Sequence, residues 1–434
     1  MALLPIPDSP AVYEERSYFS GDAWADSCFR LASFLTDPVC KVDELYARLF
    51  VEDSGYAGAR AAFLGAQMVG YGALGAVGGP LGLGLRALGC YLQKNPFRFI
   101  ETGAKPKKLE GNRFSLLSWN ICCVGGGYPI TDGGVPSWPS RIDAIARAII
   151  EKNADVVCLY ETFDYGSVLT LTERTILAEK LKEQGYTHIY CNIGPRALGV
   201  CSGISVFSKF ETAEPEFVPF PESTLVGRTK NATKGVFSFS LKDGERTFAR
   251  IYATHLQHSE KPAHPEKKER VARAAQMKII TDKMNAEKQH GVCSILTGDL
   301  NLDDEEYNMS SWKDLFNKGK LLFDPVLERT WGGDAYCAKL SNCRSVASSV
   351  MAFFTNLIWE IPIVDTLGSK EASGPLNLDH TAILKGTIGT LKTSLLKTHF
   401  NHEVYREFDE EDRPILSDHQ GLYSEITLSS MANL

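Results

Sequence analysis

Apolar residues follow two patterns along this chain, and the change between them divides it. Over residues 1–56 they recur at helical spacing, with Phe29–Phe34 and Val42–Phe50 falling near every third or fourth position, which predicts short helices. From residue 111 onward the apolar runs are brief and stop abruptly at polar residues. These runs are Phe114–Trp119, Val156–Leu159, Ile204–Phe207, Thr247–Ala253, Cys293–Leu296, Thr381–Leu384 and Leu422–Ile426, and their length and composition predict strands. Amphipathic helical stretches intervene at Ser140–Lys152, Leu171–Gln184 and Lys268–Met284. Strands interleaved with helices predict an α/β or α+β layered enzyme domain over residues 111–430, preceded by a mostly helical extension over residues 1–110.

Two apolar stretches stand outside this scheme. Ala61–Leu85 is 25 residues without a charge, bounded by Arg60 and Arg86. It is long enough to cross a bilayer, yet its eight glycines and Pro80 make a plain helix costly. Three readings stand: a Gly/Ala-rich connector, a membrane-inserted hairpin broken at Gly78-Gly79-Pro80, or a true span. Ser345–Trp359 is uncharged for 15 residues, too short to span. It reads as a core helix or as an exposed apolar loop that touches a membrane.

Composition narrows the class. With 434 residues, 44% of them hydrophobic and 23% charged, the chain can bury a sizeable core and is neither disordered nor collagenous. The net charge of −7 counts against a protein that grips nucleic acid, because such proteins carry a basic stripe to neutralise phosphates. Only Lys105–Lys108 and Lys267–Arg273 are locally basic. The 11 cysteines are odd in number and irregular in spacing, which points to an intracellular, reducing compartment. Met1–Arg16 lacks the basic-then-apolar order of a cleavable signal.

The chemistry-bearing residues sit where the strand-like runs end. They fall in Ser118-Trp119-Asn120, Tyr160-Glu161, Thr254-His255-Leu256-Gln257, Gly298-Asp299-Leu300-Asn301, Asn377-Leu378-Asp379-His380 and Ser417-Asp418-His419. Side chains at strand ends can converge on one cleft although they are distant in sequence. Carboxylates, carboxamides and imidazoles without a nucleophile suit a hard divalent cation and a phosphoryl group. A serine-hydrolase elbow is absent, since Gly199–Gly203 reads G-V-C-S-G, and Gly125–Gly127 lacks the spacing of a P-loop or dinucleotide fingerprint.

In this order, and with Ser202–Lys209, Arg270 and Gln276 added, the segments resemble the DNase I-like endonuclease/exonuclease/phosphatase superfamily, and within it most the neutral sphingomyelinase branch. The resemblance covers residues 111–430. It implies a four-layer α/β (α+β) sandwich, two packed mixed β-sheets flanked by helices. It implies hydrolysis of a phosphodiester by in-line attack of water with Mg²⁺, or Mn²⁺ in its place. Glu161 would be the principal metal ligand, with Asn120 beside it. His255 and Asn301 would hold phosphoryl oxygens, and Asp299 would position the water or a second metal. His419 would take the proton. Asp418, next to it, matches the family's pair and is counted with the catalytic set. Adjacent residues point apart, however, so Asp418 could equally bind metal or anchor its loop, leaving another Asp to orient His419. Asp379 is open between a structural and a catalytic role.

Two positions depart from the family's pattern. Tyr160 stands where Gln is usual, and His380 where Tyr is commoner. The implied substrate is a phospholipid headgroup, sphingomyelin being cleaved to ceramide and phosphocholine, with a phospholipid membrane as partner and the two apolar stretches holding the enzyme there. The alternatives are a nuclease and an inositol polyphosphate phosphatase, for whose P-A-W-C-D-R type motif Arg329-Thr330-Trp331 is a poor stand-in. Outside the enzymes, a catalytically dead membrane- or partner-binding scaffold remains.

Overall fold

The structure, a computed structural model, describes residues 23–51, 57–93, 96–123, 141–163, 177, 180–196, 199–259, 265–324, 330–331, 376–396 and 416–429. Ser345–Trp359, Gly125–Gly127 and much of Leu171–Gln184 lie outside these described residues.

Two mixed sheets form the centre. The first has seven strands in the order β1 (Arg98–Glu101), β4 (His188–Cys191), β5 (Ser205–Ser208), β3 (Val156–Tyr160), β2 (Arg113–Asn120), β13 (Gly421–Thr427) and β12 (Thr390–Leu396). The second has six, in the order β10 (Leu321–Phe323), β11 (Asp379–Leu384), β9 (Cys293–Asp299), β8 (Arg246–His255), β7 (Gly235–Asp243) and β6 (Glu211–Pro219). Among the described strands, only β2–β3 and β8–β9 pair in parallel. A parallel pair needs a crossover, and helices α3 (Ile142–Lys152) and α4 (Lys267–Ala286) lie within those two connections. Two shorter helices, α5 (Asp304–Asn308) and α6 (Ser310–Gly319), follow β9.

Alternation along the strands builds the layers, because successive side chains point to opposite faces. On β2 and β3, Leu116, Val156, Cys158 and Tyr160 turn towards the second sheet, where they meet Phe237, Phe239, Phe248 and Ile251. Leu117, Trp119, Val157 and Leu159 turn outward onto Ile145 and Ile149 of α3. The second sheet does the same, with Tyr252 and Leu296 packing against Met277, Ile280 and Met284 of α4 and Trp312 and Phe316 of α6. Helix, sheet, sheet and helix therefore stack as the expected four-layer sandwich.

The N-terminal part differs from the expectation in three ways. The two short helices are one, α1 (Ala23–Val51), which runs through Pro38. The stretch Ala61–Leu85 is neither a connector nor a broken hairpin, since α2 (Ala57–Leu92) continues through Gly78, Gly79 and Pro80. Finally, β1 lies within the region assigned to the extension, yet it pairs with β4, so the sheet domain begins by Arg98 rather than at residue 111.

Candidate active site

The polar ends of β2, β3, β8, β9 and β11 and the turn before β13 meet at one place. Strand register brings them there: Asn120 lies opposite Tyr160, and Asp299 lies between His255 and Asp379. Asp299 is central. Its Oδ2 accepts a hydrogen bond from Asn120 Nδ2 at 3.0 Å, and lies 3.4 Å from His255 Nε2 and 3.7 Å from His419 Nε2. Glu161 Oε1 accepts from the same Asn120 amide at 3.0 Å and lies 4.0 Å from His255 Nε2. Two potential ligand sets result, Glu161–His255–Asp299 and Asp299–Asp379–His419, each with its donor atoms within 4.8 Å of one another.

The backbone is bent to achieve this. Glu161 and Asn301 have φ of +61° and +50°, a left-handed conformation that costs a non-glycine residue about 1–3 kcal/mol. Thr162 secures the first bend, its N–H and Oγ1 both donating to Gly203 O at 2.9 Å. Gly203, at φ +74°, leaves no room for a side chain: a Cβ there would come within 2.7 Å of the Phe163 ring and 3.2 Å of Glu161 Cα. The Ser202–Lys209 segment thus supports the Glu161 bend from beneath. The second bend is closed by Asn301 N–H donating to Asp299 Oδ1 at 2.9 Å.

His419 and its neighbours separate the two aspartates that the sequence left ambiguous. Asp379 Oδ2 lies 2.7 Å from His419 Nδ1. Asp418 turns elsewhere: its Oδ2 accepts from Trp331 Nε1 at 3.2 Å, and its Oδ1 from Ser417 Oγ at 3.3 Å. The geometry assigns the orienting contact to Asp379 and the loop-anchoring contact to Asp418, against the grouping of Asp418 with the catalytic residues. Asp418 adjoins His419 in the chain, and adjacent residues point apart, so Asp418 turns from the ring that Asp379 holds. Asn120 also departs from expectation. Its Oδ1 accepts from Cys122 N–H at 3.0 Å while its Nδ2 bridges Glu161 and Asp299, so it holds the two carboxylates together rather than offering them a third oxygen.

Several residues escaped the sequence reading. Lys234, 4% exposed, begins the approach to β7, and its charge acts on both Glu161 and Asp299. A lone lysine before an apolar run was the only signal. Thr330 and Trp331, dismissed as a poor motif, brace the aspartates. Thr330 Oγ1 accepts the N–H groups of Leu378 and Asp379 at 2.9 and 3.1 Å, and Trp331 donates to Asp418. The two departures are also explained. Tyr160 OH donates to Thr297 O at 3.1 Å, tying β3 of one sheet to β9 of the other beneath the site. His380 turns away, its Nε2 donating to Leu302 O at 2.9 Å and its ring stacked on Tyr307 at 5.5 Å.

Electrostatics follow from crowding charges out of water. Burial, then the charge of Asp418, pushes the Glu161 carboxyl up, and burial likewise pushes up Asp299. Burial pulls Lys234 down to about 7 against the pull of those two carboxylates. His255 is held well below its usual value by burial and by Lys234, so it is neutral. Burial also opposes charge on His419, but Asp379, Asp418 and Asp299 more than reverse this and hold it well above its usual value. The donor set fits a hard divalent cation. Asp299 is buried and Glu161 partly so, both carboxyls are pushed up despite His419 and Lys234, and their oxygens converge on His255 Nε2.

The endonuclease/exonuclease/phosphatase family model matches residues 117–359, more than half of the chain. The chain belongs to that family. The solved structures it resembles include beta toxin of Staphylococcus aureus, at 18% identity and a TM-score of 0.48, covering 72% of this chain and 99% of that one. Sphingomyelinase C of Streptomyces griseocarneus follows at 16% and 0.45, covering 72% and 99%. TDP2 of D. rerio, complexed with single strand DNA product, stands at 14% and 0.43, covering 72% and 98%. Likeness of this degree says nothing of substrate. No curated protein matches the chain.

Proposed function

We propose that this member of the family is a divalent-cation-dependent phospholipid phosphodiesterase that cleaves sphingomyelin to ceramide and phosphocholine. The observation that carries the phosphodiesterase reading is the Glu161–Asp299–His255 cluster, partly open at Glu161, with the His419–Asp379 pair beside it. The lipid reading is supported by the order and wording of the strand-end motifs, by the net charge of −7, and by the uncharged stretch Ala61–Leu85 within helix α2. An acidic protein with no basic stripe lacks the usual means of holding a nucleic acid. The same reading places the enzyme inside the cell and at a membrane.

Glu161 and Asp299 would hold the cation, Mg²⁺ or Mn²⁺, which when bound neutralises phosphoryl charge and polarises the phosphorus centre. Asn120 fixes the spacing of those carboxylates. His419 is placed to take a proton from the attacking water: Asp379 holds Nδ1, which leaves Nε2 facing the cluster. Three carboxylates raise its basicity. His255, kept neutral, offers an N–H to a non-bridging phosphoryl oxygen, and Asn301 lies beside it with its carboxamide 3.5 Å from Leu256 O. Water adds to phosphorus as His419 takes its proton, the bond to the ceramide oxygen breaks, and that oxygen leaves as a hydroxyl with the proton His419 returns.

The test is phosphocholine release from sphingomyelin in mixed micelles, with Mg²⁺ and then with excess EDTA, beside DNA and a phosphoinositide. Release that requires both metal and Glu161 supports the reading. Cleavage of DNA or phosphoinositide alone would keep the site and refute the substrate.

A further inference from the structure

The α1–α2 hairpin is packed inside out. The helices run antiparallel, and along residues 75–89 of α2 glycines lie against α1, while Leu64 is buried and Cys90 packs on Phe29. A Cβ on Gly75 would come 2.8 Å from Val39 Cγ2, one on Gly78 2.5 Å from Leu35 O, one on Gly82 2.7 Å from Thr36 Cγ2, and one on Gly89 3.1 Å from the Phe29 ring. These positions follow a seven-residue repeat with an intermediate member, the seam along which two helices stay in contact. Small residues at such a seam let two backbones approach closely. Most of the large apolar side chains point away from the seam: Val69 is 75% exposed, Leu74 60%, Val77 73%, Leu81 63% and Leu88 45%. Leu74, Val77, Leu81 and Leu88 share one stripe, while Val69 and Leu83 lie on another flank, so α2 has no polar face. A helix covered by water or by a soluble partner has the reverse arrangement.

The chemistry of this face selects its occupant. Between Arg60 and Arg86 the only polar side chains are Gln67 and Tyr71. A protein interface carries a polar rim and a hydrogen bond for roughly every 100–200 Å², and this surface has almost nothing to contribute to one. Hydrocarbon asks for none. Over Ala62–Leu92 the helix is long and apolar enough to meet a bilayer, and only 17% of its most apolar window is buried. At the open end of the hairpin, Trp24 and Tyr91 are 56% and 85% exposed, and both residue types favour the membrane–water interface. A crossing is disfavoured by α1. The stretch of α1 that lies against α2, Phe29 to Val39, contains Arg30 and Asp37, and each would cost about 2.5–3.5 kcal/mol at the bilayer centre. Arg86 moreover donates to Arg196 O at 2.6 Å, fastening the end of α2 to the sheet domain.

We infer that the outward face of α2 is a lipid-binding surface that seats the α1–α2 hairpin in one leaflet of a phospholipid bilayer. The inference is independent of what the active site hydrolyses. The full chain is mixed with vesicles of phosphatidylcholine alone in EDTA and floated through a density gradient. The wild type floats, and the combined Leu74→Glu, Val77→Glu and Leu81→Glu substitutions lower the bound fraction about tenfold or more. All three side chains are exposed, so far-ultraviolet circular dichroism is unchanged; Leu81→Gln alone, a smaller perturbation with a smaller loss, serves should the triple variant misfold. Glu161→Gln floats like the wild type. A wild type that stays at the bottom, a triple variant that floats as well as the wild type, or flotation abolished by Glu161→Gln would each overturn the inference. So would a vesicle-free dimer that these substitutions dissociate, which would make a second copy the occupant.

Discussion

Asp379→Asn removes one negative charge from a side chain that is fully buried and leaves its volume unchanged. In the wild type, the carboxylate at 2.7 Å keeps the proton of a neutral His419 on Nδ1 and leaves Nε2 free to accept another. A carboxamide can satisfy the same contact by donating to Nδ1. The ring proton then belongs on Nε2, and the ring can no longer act as a base. The loss is that of a general base, ~10²–10⁴ in kcat, or about 3–5 kcal/mol at roughly 1.4 kcal/mol per decade. KM should change little, since Asp379 touches no substrate. Any residual turnover should have its acidic inflection at lower pH, because Asp379 is the first of the carboxylates that raise His419.

Asp418→Asn provides the contrast. It alters a hydrogen bond from Trp331 and a more distant charge, so its kcat should fall less than about tenfold. The assay is steady-state hydrolysis of sphingomyelin in Mg²⁺ for both variants, with thermal unfolding alongside to show that each is folded. If Asp418→Asn costs as much as Asp379→Asn, or if Asp379→Asn retains wild-type kcat, the orienting contact has been assigned to the wrong aspartate.

The remaining predictions concern metal, pH and packing. Glu161→Gln should abolish divalent-dependent turnover and, in EDTA, raise Tm, because it removes a charge that burial and Asp418 both oppose. Glu161 and Asp299 have raised folded values, so the metal-free protein loses stability as pH rises above the usual carboxylate range. Mg²⁺ should therefore raise Tm more at pH 7 than at pH 5, and equal increments would count against these two residues as ligands. His188 is lowered by burial and held at Nδ1 by Thr212, so its contribution is complete above about pH 6.5 and is lost as pH falls below it. His188→Gln should flatten that part of the Tm–pH curve. Gly298→Ala would set a Cβ 1.9 Å from Thr254 O, between the strands that carry His255 and Asp299, and should cost about 3 kcal/mol or more in urea unfolding.

What could be read from sequence was decided by where burial is two-sided. Strands β2, β3, β8 and β9 are buried on both faces over most of their length, so they appear as apolar-rich runs broken only at Ser115, Ser118, Arg250 and Ser294, and each was placed within a few residues. Strand β12 alternates exposed and half-buried positions at a sheet edge, and β6 is broken by a bulge between Ala213 and Glu216, so neither leaves a run to find. Helix α2 misled for a related reason. Glycine is costly in an isolated helix, but at Gly78 and Gly82 the missing side chain is what admits α1, and that benefit depends on a partner absent from any local window.

The active site divides along the same line. Residues that end apolar strands carry a positional signal, which is why Asn120, Glu161, His255, Asp299 and His419 were found together. Lys234 carries only the weaker signal of a lone lysine before an apolar run, yet its charge, like that of His419, acts on both Glu161 and Asp299. The raised carboxyls of Glu161 and Asp299 show that His419 and Lys234 compensate them only in part, and burial has already brought that lysine down to about 7. Near neutrality it can lose its proton as soon as another cation takes over its role, since a like charge nearby favours the neutral amine. Divalent binding should therefore release protons, and by the same linkage it should tighten as pH rises through 7. That dependence would weaken on Lys234→Met, a substitution at a residue the motifs do not name, and calorimetry of Mg²⁺ binding in two buffers of different ionisation enthalpy would measure it. Proton release unchanged by the substitution would mean that the charge compensating Glu161 and Asp299 comes from elsewhere.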